Sequence, residues 1–185
     1  MNKFTLSVLT ENSPGVLHRV TVLFTRRKIN IESLTVSDTE KHNISRFTIV
    51  IQVEKDVIEK VVRQIRRIVE VREVYASENE ELLYKEIAFY RVAAKTPERR
   101  AEVGEHAQRN RATLFFADAE HVVIEKTGTE DEISSLLLLL EPFGIVEFVR
   151  SGRVAIRKIR HQIKAGDEQA PEESADNFQL NYTSW

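Results

Sequence analysis

Apolar and polar residues change rhythm several times along the chain, and each change marks an element. Phe4, Leu6 and Val8 alternate with Thr5 and Ser7, the period-two pattern of a strand with one buried face. After Pro14-Gly15 the spacing lengthens. Val16, Leu17, Val20, Leu23 and Phe24 fall on one side of a helix that Arg26, Arg27 and Lys28 close at the end favouring cations. Pro14 suits the first helical position, which makes Ser13 the expected N-cap. Asn30 is the expected left-handed residue at the helix exit. Residues 31–37 read as a strand with Leu34 and Val36 on one face, and residues 38–43 as a polar hairpin loop. A third strand alternates Phe47, Ile49, Ile51 and Val53 with Arg46, Thr48 and Gln52. A second helix from about Asp56 turns Val57, Ile58, Val61, Val62, Ile65, Ile68 and Val69 inward, and residues 71–76 form a fourth strand.

The order β-α-β-β-α-β is that of the ferredoxin-like split fold, an antiparallel sheet with both helices on one face. The other face must be polar or covered. Beyond an acidic linker, Ser77 to Glu81, the order repeats. Ile87 to Ala94 is a strand. Thr96-Pro97 caps a helix reaching Asn110, with a thin apolar face of Ala101, Val103, Gly104 and Ala107. Strands follow at 113–116 and 121–126. Thr129 and Glu132 have capping-box spacing and open a leucine-dense helix that Pro142 ends. Leu138 and Leu139 widen its apolar surface beyond one stripe, so cover on more than one side is expected. Residues 145–149 are the last strand of the repeat, and Ser151-Gly152-Arg153 turns into Val154-Ala155-Ile156. The expected architecture is α+β, with two ferredoxin-like βαββαβ domains at 2–77 and 82–158 and a disordered tail at 161–185.

Composition narrows the chemistry. The net charge of -2 over 185 residues gives no basic surface for nucleic acid. The absence of cysteine excludes disulfides, thiolate catalysis and cysteine metal sites. No apolar run reaches membrane-spanning length and the first residues lack a signal-peptide shape, so a cytoplasmic location is expected. His18, His42, His106, His121 and His161 are scattered without metal-ligand spacing, and no catalytic constellation stands out. Neither G-x-x-x-x-G-K nor G-x-G-x-x-G occurs. The third strand lacks the aromatics of an RNA-recognition domain. The loop Glu11 to Gly15 lacks the arginine with which an acylphosphatase-type site would clamp phosphate. What remains is a helix start with a bare glycine and free N–H groups, suited to the carboxylate of a small zwitterion.

The stretch Leu6-Ser7-Val8-Leu9-Thr10-Glu11-Asn12-Ser13-Pro14-Gly15-Val16-Leu17-His18-Arg19-Val20 resembles the opening of an ACT domain. Asn30-Ile31-Glu32-Ser33-Leu34-Thr35-Val36, Ser45-Arg46-Phe47-Thr48-Ile49, Lys85-Glu86-Ile87 and Val149-Arg150-Ser151-Gly152 narrow the resemblance to the small regulatory subunit of acetolactate synthase. It covers about residues 2–158. It implies a chain without catalysis of its own that activates a large catalytic subunit in valine, leucine and isoleucine biosynthesis. Thiamine diphosphate, magnesium and FAD would belong to that partner and none to this chain. It also implies a homodimer through the ACT domain. Feedback inhibition would act through a branched-chain amino acid, usually valine, bound by Asn12, Pro14, Gly15, Val16, Leu17, Asn30 and Ile31 at the interface. The alternative is a stand-alone ACT amino-acid sensor acting on another enzyme or on transcription, although the chain shows no helix-turn-helix.

Overall fold

The computed structural model describes residues 1–158; the tail expected over 161–185 lies outside them. In the first half, strands β1 (Asn2–Glu11), β2 (Ile31–Asp38), β3 (Ile44–Val53) and β4 (Val71–Glu78) form one antiparallel sheet in the order β2-β3-β1-β4. Helices α1 (Val16–Arg26) and α2 (Lys55–Ile65) lie on one face. The alternating residues read from the sequence meet there. Phe4, Leu6, Val8, Phe47, Ile49 and Ile51 pack against Val16, Val20, Phe24, Ile58, Val61 and Ile65. Each such side chain, fully buried, contributes about 1.5–3 kcal/mol of transfer free energy.

The second half repeats the arrangement. Strands β5 (Leu82–Ala93), β6 (Thr113–Ala117), β7 (His121–Gly128) and β8 (Ile145–Arg150) take the order β6-β7-β5-β8, with α3 (Pro97–Arg109) and α4 (Glu130–Leu140) between them in sequence. The two orders correspond strand for strand. A short β9 (Val154–Arg157) returns along the first residues of β5. The acidic linker is nearly absorbed into structure: Ser77 and Glu78 finish β4, and only the turn Asn79–Glu81 separates it from β5.

Three local expectations are corrected. Val69 is 91% exposed, because α2 stops at Ile65 and the chain turns away before β4. The left-handed residue after α1 is Lys28, at φ 56°, and not Asn30. Leu138 and Leu139 on α4 are 68% and 37% exposed. Ile133, Leu136 and Leu140 of that helix are buried against the sheet, Leu137 packs partly against the same core, and nothing among the described residues covers the side that carries Leu138.

The polar face of the first sheet is covered by the second half. Thr5, Ser7, Thr48 and Ser77 are buried there. Gly152 lies so close to β2 that a Cβ would stand 2.3 Å from Thr35 Oγ1 and 2.6 Å from Ser33 Oγ, so no larger residue fits. Beside it Arg153 is 1% exposed. It donates to Thr5 Oγ1 (3.1 Å), Asn79 Oδ1 (2.7 Å) and Glu130 Oε2 (3.2 Å), pairs with Glu86, and stacks on the Tyr84 ring. Lys3 bonds Glu130 and Glu32 in the same cluster. Burial alone would lower the Lys3 pKa, but those two carboxylates outweigh it and raise it. Glu86 is itself buried and is shared between Arg150 (3.2 Å) and Arg153 (3.5 Å), so deleting Arg153 would remove one of its two ion-pair partners. The second half is thereby fastened over β2 and β1.

Candidate functional site

The chain leaves β1 at Glu11 and enters α1 only at Val16. The N-cap is Gly15, at φ 84°, and no side chain caps the helix. The expectation that Ser13 caps and Pro14 opens the helix is therefore corrected. Ser13 instead donates its N–H to Glu11 O (2.9 Å), and its carbonyl accepts from Val16 N at 3.4 Å, forming a tight turn that only a left-handed residue closes. Glycine adopts this backbone conformation without strain, whereas a residue with a Cβ is strained in it. A Cβ at this position would meet nothing nearer than Arg19 Nη1 at 4.0 Å, so the space above it is open.

The first intrahelical bond runs from Arg19 N to Gly15 O (3.0 Å), and the N–H groups of Leu17 and His18 have no acceptor among the described residues. These two donors, at the positive end of the helix dipole, are what a carboxylate needs. Val16 is 1% exposed and belongs to the core, so its side chain anchors the helix start and does not face a ligand. Pro14 and Leu17 are exposed.

Asn12 sits at the mouth of the turn. Its backbone N–H bonds Asn43 O (2.9 Å) and its side-chain Nδ2 donates to Asp38 Oδ1 (3.2 Å), which also accepts from Ser45 Oγ (3.2 Å). With the amide nitrogen so committed, the Asn12 carbonyl oxygen is left as an acceptor. Arg19, one turn into α1, pairs with Glu70, and Arg72 pairs with Glu11. Sequence reasoning passed over Arg19, Asp38, Ser45 and Glu70. Arg19 alone carried a signal, its spacing of four from Gly15. Asp38 and Ser45 are brought to the loop by strand register, and Glu70 by the turn into β4, where its carbonyl accepts from Glu11 N (2.9 Å).

Asn30 and Ile31 lie elsewhere. Ile31 is level with Ile51 and Phe4 at the start of β1, whereas Asp38 is level with Ser45 and Thr10 at its end. Six residues of β1, from Phe4 to Thr10, separate the two levels, about 20 Å at the usual rise, and β2 takes one more because it bulges between Ile31 and Ser33. Asn30 is exposed and has no side-chain hydrogen bond among the described residues. One copy of the chain thus holds the two groups of expected site residues apart, Asn12 to Leu17 at one end of the sheet and Asn30–Ile31 at the other. The outer strand β2 runs from the second towards the first. Leu17, Leu34 and Val36 there are 37%, 36% and 46% exposed, an apolar strip along a sheet edge that pairs with no further strand among the described residues.

No group of three or more metal-ligating side chains occurs among the described residues, and no helix of them is long and apolar enough to cross a membrane. Comparison with known proteins agrees with the architecture half by half. Residues 6–73 match the family described as the AHAS small subunit-like ACT domain, and residues 85–159 match the family described as small subunit of acetolactate synthase. The chain is 41% identical over 154 residues to a probable acetolactate synthase small subunit of Archaeoglobus fulgidus, covering 83% of this chain and 96% of that one. It is 35% identical over 155 residues to the acetolactate synthase small subunit of Bacillus subtilis, covering 83% and 88%. Among solved structures, the acetolactate synthase small subunit of Thermotoga maritima superposes with a TM-score of 0.78 at 28% identity, covering 86% of this chain and 99% of that one. With both halves matched in order and relatives aligned over nearly their full length, the chain belongs to the acetolactate synthase small-subunit family.

Proposed function

We propose that this chain is a regulatory subunit that activates a thiamine-diphosphate-dependent acetolactate synthase large subunit and makes it sensitive to a branched-chain amino acid. Thiamine diphosphate, magnesium and FAD are then carried by the catalytic partner. The observation that supports the reading is the separation of the two groups along β2, which makes each a half-site. A two-fold axis through the middle of β2, pairing two copies antiparallel along that edge, puts Asn30 and Ile31 of one copy beside Asn12 and Gly15 of the other. The same pairing covers Leu17, Leu34 and Val36. The amino acid's carboxylate then takes the Leu17 and His18 N–H groups. Its ammonium group donates to the side-chain oxygens of Asn12 and the other copy's Asn30, and its short apolar side chain lies over Ile31.

A ligand held by both copies favours one relative geometry of the pair, which is the condition for it to shift an equilibrium. Gly152 and Arg153 transmit that geometry, because they press the second half onto β2 and β1. The test is reconstitution. The chain alone, with thiamine diphosphate and pyruvate, should form no acetolactate. Added to its large subunit it should raise the rate and confer inhibition by valine. A large subunit whose rate and valine response are the same with and without the chain would contradict the proposal.

A further inference from the structure

The sheet of the first half has two edges, and the dimer reading uses only β2. The other edge, β4, pairs with no strand on its outer side among the described residues. Between it and α2 runs an open groove of about 870 Å³ with an apolar floor of Phe4, Ile58, Val62, Val74 and Ala76. Its ends carry opposite charge. Glu78, Glu80 and Glu81 line the end beside the start of α2, and the exposed Arg63 and Arg66 line the end where α2 finishes. The last described residues lie at the acidic end. Arg157 stands over the Tyr75 ring at 3.5 Å, and Lys158 donates its N–H to Glu81 O (2.9 Å). Tyr75 and Glu81 are both wall residues of the groove. Residues 159–185 therefore set out from its mouth.

We propose that the groove is filled by the chain's own residues 178–182, added as a strand parallel to β4. Phe178, Leu180 and Tyr182 alternate with Gln179, Asn181 and Thr183, the period of a strand with one apolar face. Residues 164–177 before them hold no apolar side chain larger than proline, so they serve as a connection. Charge along the way is complementary to the groove in order. Arg160 and Lys164 come first, where the chain passes Glu78, Glu80 and Glu81. Glu172, Glu173 and Asp176 come last, where it reaches Arg63 and Arg66. Like charges would meet if Phe178 entered at the glutamate end, so it enters at the arginine end and the strand runs back towards Lys55. The length suffices. Twenty residues separate Lys158 from Phe178, and a coil of that length has a root-mean-square span of about 25 Å. β4 from Val71 to Glu78 is about 23 Å long at the usual rise. A tether matched to its span holds a segment at its site at close to the highest effective concentration. From Phe178 to Tyr182 is about 13 Å, the stretch of β4 from Val74 to Glu78. Three apolar side chains then lie on the floor while main-chain bonds extend the sheet. The bound segment takes the β4 edge out of pairing with other copies, which leaves β2 as the open edge of that sheet.

The inference stands apart from the regulatory reading, because its test needs neither a large subunit nor an amino acid. Amide exchange is followed in the full chain, at those amides of residues 72–78 that do not bond to β1. Phe178→Ser combined with Leu180→Ser should speed their exchange at least tenfold while β1 and β3 keep their rates. Exchange there that is as fast in the wild-type chain as in this variant overturns the inference. Arg63→Glu combined with Arg66→Glu should also speed it, and adding Glu172→Lys, Glu173→Lys and Asp176→Lys should restore the slow rate. Reversed charges that restore nothing overturn the inference too. Because the sequence has no cysteine, a nitroxide attached after Asn181→Cys labels one site. It should broaden the resonances of residues 58–66 and 72–78 in its own chain. In a mixture with isotope-labelled chains that carry no nitroxide, those chains should keep sharp resonances. Broadening in them instead would assign the groove to a segment of another copy and overturn the occupant proposed here.

Discussion

The two halves share one strand order and close the turn from first strand to first helix in different ways. In the second half Thr96 Oγ1 accepts from Arg99 N (3.3 Å) and Pro97 opens α3, so that helix start is closed by its own sequence. In the first half the corresponding turn ends in Gly15 at φ 84° without a side-chain cap, and two N–H groups remain open. Capping is worth about 0.5–2 kcal/mol. The first half forgoes it where the proposal puts the amino-acid carboxylate, and the second half keeps it. A second effector site in the second half is therefore not expected, in spite of the shared fold.

The largest expected effect comes from closing the open turn with charge. Gly15→Asp puts a carboxylate where the ligand's own carboxylate should bind. Repulsion at contact distance is on the order of several kcal/mol at an intermediate dielectric. Micromolar to millimolar binding has only about 4–8 kcal/mol in all. Valine sensitivity of the holoenzyme should fall at least a hundredfold while activation is kept. The positive φ adds about 1 kcal/mol of backbone strain, which aspartate tolerates better than most residues. A melting curve checks that the fold survives this.

A smaller loss is expected at the other half-site. Asn30→Ala removes one hydrogen bond to the charged ammonium group, worth about 1.5–3 kcal/mol, so valine affinity should weaken by roughly ten- to a hundredfold. Calorimetric titration reads it directly. If Asn30→Ala left affinity unaltered while Gly15→Asp abolished it, the site would be complete within one copy and the β2 pairing would be wrong.

The control for the comparison is Thr96→Ala. It should lower stability by about 1 kcal/mol and leave activation and valine response alone. A changed valine response would show that the second half takes part in binding.

The smallest effect is a difference in acid sensitivity. The start of α4 is a complete capping box, in which Glu132 accepts from Thr129 N (2.7 Å) and pairs with Lys85. The Thr129 N–H first, and Lys85 after it, hold the Glu132 carboxyl down to about 2. Its folded pKa lies below its unfolded value, so its contribution is complete above about pH 5 and is lost as pH falls towards 2. The start of α1 has no acidic residue in its first turn and nothing comparable to lose. Segment-resolved amide exchange at pH 3 against pH 7 should show α4 fraying at its first turn and α1 changing less. Equal fraying of both starts would mean that the box contributes nothing.

Much of this was legible in the residue pattern. The apolar positions Phe4, Leu6, Val8, Phe47, Ile49 and Ile51 and the stripe of Val16, Val20 and Phe24 mark the helix-side core directly, whereas the burial of Thr5, Ser7 and Thr48 between them comes from the second half and is not legible locally. The capping box at Thr129 was readable, since all its atoms lie within four residues. What depends on distant chain was not. Ser13 has the right type for a cap, but the turn that ends β1 leaves no helical residue for it to cap. Gly152 is required by Thr35 and Ser33, more than a hundred residues earlier, and Arg153 owes its burial to Thr5, Asn79, Glu86 and Glu130 together. The residues proposed to bind the effector form one motif set in the sequence, yet the fold parts them by the length of β2, and the proposal that a second copy reunites them draws on that separation, which the sequence does not show.

Complementation between two defective chains tests that point. Gly15→Asp and Asn30→Ala proteins are mixed, allowed to exchange subunits, and titrated with valine. In a mixed dimer one site carries both substitutions and the other carries neither. Random exchange gives half mixed dimers, so about one quarter of all sites should regain wild-type affinity, although neither parent shows any. Recovery of such a high-affinity fraction is the predicted result. A mixture that binds valine as the plain average of its two parents would contradict a site shared between copies across β2.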